Sequence, residues 1–98
     1  MSNKVKKLNL LGLAQAAGQL VSGEGLVIQA LQAGQASLVI CAQDASERTK
    51  KKIKDKCSYY NVPTNFDYTS LEISQALGKK RLIVAFTNQG FAKSFIKD

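Results

Sequence analysis

Two short apolar runs constrain this chain most: Ser-Leu-Val-Ile-Cys-Ala at 37–42 and Leu-Ile-Val-Ala-Phe at 82–86. A strand that stays apolar on successive residues must be covered on both faces, because successive side chains point to opposite sides of a sheet. Both runs therefore read as buried strands, and the segments around them must supply the cover. Residues 4–17 have helical composition and stop at Gly18, leaving 19–21 for a short strand. A second helix covers about 23–33, with Val27, Ala30 and Leu31 on its apolar face and Gly34 at the left-handed stop position.

After the first buried strand, Asp44 or Ser46 can cap a third helix, and Glu47 suits its first turn. That helix ends near Asn61, before Val62-Pro63. Residues 64–68 alternate as a strand. Thr69-Ser-Leu-Glu72 is a capping box that starts a fourth helix over 70–77. Gly78-Lys79-Lys80-Arg81 is a basic turn leading into the second buried strand, and Asn88 caps a last helix over about 89–96. The pattern is β-α repeated, with one helix in front. It predicts a central, at least partly parallel sheet with helices on both faces. No linker or internal repeat divides residues 1–98, so a single domain is expected.

Fourteen Lys and Arg against seven Asp and Glu give a net charge of +7 and a pI near 9.6. This balance favours a polyanionic partner. No segment is long and apolar enough to cross a membrane. Lys4, Lys6 and Lys7 precede an apolar run, and Ala14-Gln15-Ala16 resembles a leader cleavage site. Asn9 and Gln15 interrupt that run, and a secretory leader is not expected. Cys41 and Cys57 fall at apolar positions and read as core thiols in a reducing, cytoplasmic setting.

Catalysis finds little to work with. There is no histidine to serve as a base near neutrality, and no spacing suited to a metal or cofactor. Gly23-Glu24-Gly25 is half a dinucleotide fingerprint, but Ile28 stands where its third glycine belongs. Gly78-Lys79 fails as a phosphate loop because Ile73 stands where the first glycine belongs. Asp44 reads as a cap rather than a carboxylate base. A non-enzyme is expected.

The residues favour binding instead. Glycines at 23 and 25 are expected to leave backbone N–H groups uncovered at the start of the second helix, where phosphates and base edges are attracted. On the third helix, Ile53, Cys57 and Tyr60 form the buried stripe. Arg48, Lys50, Lys51, Lys52, Lys54 and Lys56 take most of the remaining circumference. This is either a solvated face or an electrostatic surface that draws in RNA. Lys79, Lys80 and Arg81 can reach phosphates from a tight turn, with a merely solvated turn as the alternative. Phe66, Phe86 and Phe91 read as core. Tyr59 and Tyr68 are assigned to the core edge, with base stacking as the alternative.

The glycine loop and helix, the strand Leu38-Val-Ile-Cys-Ala-Gln-Asp44 and the helix after it resemble the kink-turn-binding ribosomal-protein family. This is the family of archaeal large-subunit protein seven-Ae and eukaryotic protein thirty-e. The resemblance extends from about Leu10 to Phe95. Three segments look closer still to its small bacterial YlxQ branch: Leu10-Leu-Gly-Leu-Ala14, Asp55-Lys-Cys-Ser-Tyr-Tyr-Asn-Val-Pro63 and Asn88-Gln-Gly-Phe-Ala-Lys93. The resemblance implies a three-layer α/β/α sandwich with a four-stranded mixed sheet. It also implies recognition of a sharply bent RNA. The start of the second helix would lie beside tandem sheared G·A pairs, and a loop before the last strand would cradle a flipped-out nucleotide with apolar residues.

The chain departs from the family motif Gly-x-Asn-Glu-x-x-Lys. Gly23 matches. Gly25 stands in place of Asn, Leu26 in place of Glu and Gln29 in place of Lys. The basic turn replaces the apolar cradle. A good bidentate base contact discriminates by about 1–3 kcal/mol, so losing two or three removes most sequence reading while the phosphate contribution survives. Glu24 either accepts from guanine or serves the helix start electrostatically, and the second role is favoured. The expected RNA-binding residues are thus Gly23, Glu24, Gly25, Leu26, Gln29, Lys79, Lys80 and Arg81. The expected partner is structured RNA, with ribosomal RNA as one case. A protein-interaction module on the same scaffold, with a translation-associated protein as partner, is the alternative. A monomer is expected.

Overall fold

The computed structural model describes residues 3–97. Its elements are α1 (Asn3–Ala16), β1 (Leu20–Ser22), α2 (Glu24–Gln32), β2 (Leu38–Cys41), α3 (Glu47–Tyr59), β3 (Thr64–Asn65), α4 (Ser70–Leu77), β4 (Ile83–Phe86) and α5 (Gln89–Ile96). The sheet runs β1-β4-β2-β3. β4 is antiparallel to both β1 and β2, and only β2 and β3 are parallel. The sheet is therefore mixed, with less parallel pairing than βα alternation suggests. β1 pairs at the edge with β4, so it never lies beside β2. Helix α1 packs on α4 and α5, while α2 packs on β4, β1 and α3, and α3 packs on β2. Helices cover both faces, as a three-layer α/β/α sandwich requires.

Every residue of β2 and β4 is buried, which is why neither strand carries a polar side chain. Phe86 anchors the core, stacked on Phe91 and tilted against Phe95, whose ring also meets the edge of Tyr68. Burying a side chain of this size contributes about 1.5–3 kcal/mol. Cys41 and Cys57 are buried free thiols, and burial pushes the Cys41 thiol up to about 11.

The local signals mostly place the helix ends. Ser46 caps α3, accepting from Thr49 N at 3.1 Å. The Thr69–Glu72 capping box forms in both directions, and Asn88 caps α5. Asp44 does something else. Its carboxylate leaves α3 and caps α4, accepting from Ser70 N at 2.7 Å and Ser70 Oγ at 2.6 Å. The strand expected over 64–68 shrinks to two residues, because the Asn65 side chain accepts from Asp67 N at 2.9 Å and turns the chain. Tyr68 then enters the core.

Candidate nucleic-acid interface

Two segments far apart in sequence meet at one end of the sheet. Gly23 and Glu24, at the start of α2, face Lys80, Arg81, Leu82 and Ile83 across a groove of about 310 Å³, with Thr49 of α3 as a further wall. The β1–β4 ladder sets this distance. It continues one step past β1, where Gly23 N donates to Ile83 O at 2.8 Å. Gly23 must leave the ladder and start a helix in one residue, which it does at φ 98°, ψ 145°. That backbone conformation is strained for any residue with a Cβ.

The turn opposite is tied down. Gly78 closes α4 in the left-handed conformation, and Arg81 N donates to Ser74 Oγ at 3.0 Å. Gln15 Nε2 of α1 donates to Leu77 O at 3.0 Å. The Arg81 guanidinium donates through Nε to Ser22 Oγ at 3.1 Å and through another nitrogen to Lys80 O at 2.7 Å. Arg81 is half-buried and bridges the two walls, while Lys79 and Lys80 are exposed.

The expected site residues thus divide. Gly23, Glu24, Lys80 and Arg81 are brought together; Gly25, Leu26, Gln29 and Lys79 lie outside the groove lining. The Gly23 N–H is not uncovered as expected, since the sheet uses it. Among the described residues no side chain caps the first turn of α2, so its leading N–H groups beyond Gly23 keep the character of an uncapped helix start. Gly25 has no positive φ, and an added Cβ there would meet nothing within 4 Å. Leu26 is 54% exposed, and Gln29 is also exposed.

The Glu24 carboxylate accepts from Lys52 Nζ of α3 at 3.1 Å. Both side chains are well exposed, so the pair contributes at most about 1 kcal/mol, but it holds Lys52 beside the groove. Sequence reasoning missed three participants. Thr49 carries no signal of its own in the sequence, Lys52 is one lysine among many, and Leu82 reads as the first residue of a buried strand. Leu82 instead precedes β4, is 41% exposed and lines the groove. The periodicity of α3 could have grouped Thr49 with Lys52, but nothing local sets Leu82 apart from Ile83.

Residues 6–96 match the Ribosomal protein L7Ae/L30e/S12e/Gadd45 family. The chain belongs to this family. Within it, the RNA-binding protein YlxQ of Enterococcus faecium is 47% identical over 91 residues, covering 93% of this chain and 88% of that protein. The YlxQ protein of Bacillus subtilis (strain 168), also called RNA-binding, is 46% identical over 88 residues, covering 89% of this chain and 88% of its own. These relatives place the chain in the YlxQ-like branch.

A solved structure from Bacillus halodurans C, described as a protein with unknown function, superposes with a TM-score of 0.88 at 41% identity, covering 92% of each chain. The Giardia lamblia 15.5kD RNA binding protein superposes with a TM-score of 0.79 at 18% identity, covering 97% of this chain and 87% of that one. That second likeness carries the family fold alone. Family membership agrees with a protein that is not an enzyme. Among the described residues, no helix is long and apolar enough to cross a membrane.

Proposed function

We propose that this family member is a non-catalytic RNA-binding protein that holds a bent, structured RNA in the groove between the start of α2 and the α4–β4 turn. The observation that carries this reading is the convergence of Gly23 and Glu24 with Lys80, Arg81 and Leu82 on one groove. An uncapped helix start and a rigidly tied cationic turn there flank the same space. The names of its YlxQ relatives support RNA as the ligand class. Lys80 and the remaining donors of Arg81 contact phosphates, and Lys79 adds to the field around them. Leu82 supplies apolar surface for an extruded nucleotide. The N–H groups at Gly25 and Leu26, with the Gln29 amide, face the bent duplex. Ribosomal RNA and the translation machinery are the natural setting for a protein of this family, working as a monomer in the cytoplasm.

The test is a titration against a standard kink-turn RNA and a version lacking its sheared G·A pairs, each at two salt concentrations. Tight binding to the first and much weaker binding to the second is expected. Equal and strongly salt-dependent binding to both would reduce the protein to a general phosphate binder.

One observation favours a second reading. Leu26 is exposed where RNA readers of the family carry a charge, and Leu82 of the groove is exposed as well. Two open leucines suit a protein contact that has replaced base reading. A partner that stays bound after nuclease treatment, and is lost in Leu26→Asp, would support it.

A further inference from the structure

We infer that the RNA footprint continues from the groove along α3 and ends on Tyr59, which stacks on an unpaired base flanking the bent element. This inference rests on the RNA-binding reading above and extends it to a second contact.

The path is set by helix geometry. Thr49 lines the groove, and Lys52, Lys56 and Tyr59 follow at spacings of three and four, which puts them on one face of α3. Thr49 and Tyr59 are ten positions apart, a run of roughly 15 Å. Lys52 pairs with Glu24, so the stripe is continuous with the start of α2. At its far end, Lys52, Asp55, Lys56, Tyr59 and Tyr60 line a second groove of about 530 Å³.

Tyr59 is the anomaly on this stripe. It is 79% exposed, against the core-edge position expected for it. Its ring meets Tyr60 edge to face at 4.8 Å and 85°, and Tyr60 packs on the core. The exposed ring is therefore braced, so little side-chain freedom is lost when something stacks on it. A tyrosine serving a protein contact would be expected among apolar neighbours. Here the neighbours on the helix are Lys52, Asp55, Lys56 and Ser58. A braced aromatic in a cationic stripe is the arrangement that holds single-stranded nucleic acid. Asp55 and the carbonyl end of α3 disfavour a phosphate beside Tyr59. The contact at this end is thus with a base face, while Lys52 and Lys56 follow the backbone leading to it.

The test uses the full chain and a kink-turn RNA with blunt stems, compared with the same RNA carrying a short adenosine extension on one stem or the other. One extension contains 2-aminopurine as a stacking reporter. Wild type is expected to bind one of the tailed RNAs about tenfold more tightly than the blunt RNA, with quenching of the reporter. Tyr59→Ala should lose that gain and the quench while keeping its affinity for blunt RNA; Tyr59→Trp should keep both. Lys56→Ala should lower the salt slope on the tailed RNA alone.

Equal affinity for blunt and tailed RNAs, or a gain that survives Tyr59→Ala, overturns the inference while leaving the groove reading intact. It would assign Tyr59 to a protein contact. Failure of wild type to bind any of these RNAs overturns both.

Discussion

Gly25, Leu26 and Gln29 are where family and chain part, and all three are exposed on α2. Nothing in the packing demands them. An added Cβ at Gly25 meets open space, and Asn costs a helix less than Gly does. The combined variant Gly25→Asn, Leu26→Glu, Gln29→Lys adds one charge of each sign and leaves the net charge unchanged. It is expected to fold as the parent does. It should also gain at least tenfold in discrimination between kink-turn RNA and RNA without the sheared pairs, since one good base contact contributes about 1–3 kcal/mol. Unchanged discrimination in a side-by-side titration would mean the bent RNA does not lie on α2. At this scale the sequence was legible in identity and not in engagement. Glu24, Lys52 and Arg81 are visible as charges, but Lys52 binding Glu24 and Arg81 bridging to Ser22 depend on elements 28 and 59 residues apart.

Helix ends were the most readable elements, because a cap acts over three or four residues. Ser46, the Thr69–Glu72 box and Asn88 all sit where the local pattern puts them. Asp44 misled for the converse reason: its partner, Ser70, is 26 residues away. The bonds from Ser70 hold the Asp44 carboxyl below the ordinary carboxylate range, and Lys4 with Thr69 does the same for Glu72. Both groups bind protons less readily folded than unfolded. Their stabilisation is therefore present above about pH 4 and is lost as pH falls through the lowered folded values. Asp44→Ala should lower Tm at pH 7, and its difference from wild type should narrow in thermal melts taken below about pH 4. A difference that is constant across pH 3–7 would show that Asp44 does not latch α4. β3 was overestimated because alternation over 64–68 continues through the turn that the Asn65 side chain makes.

Across the whole molecule, alternation and two apolar runs were enough to give the layers, while the strand order was not legible. β1 pairs with β4, which lies more than sixty residues further along the chain, and no local pattern encodes that. Charge raises a similar question of local against global effect. The chain carries an excess of +7, and its basic residues lie on α1, α3 and α5 as well as in the basic turn. Besides α3 and the basic turn, Lys6, Lys7 and Lys97 gather with Asn3, Leu10 and Ser94 around a hollow of about 330 Å³ between α1 and α5. Lys6 lies nine residues along α1 from Gln15, the residue that touches the end of α4, or roughly 13 Å of helix rise. This exceeds the screening length of about 8 Å at physiological salt. Charges at that distance can hasten the encounter with RNA at low salt but add little to a bound complex at physiological salt. The pair Lys6→Ala and Lys97→Ala should therefore bind kink-turn RNA within about twofold of wild type at 150 mM salt, and associate more slowly at low salt. Lys80→Ala, which removes a groove cation, should weaken binding at both and lower the salt slope by about one. Stopped-flow and equilibrium titrations on the same RNA separate these effects. If the distant pair costs as much affinity at 150 mM as Lys80→Ala, RNA is held by the basic surface at large, and the groove is not the seat of binding.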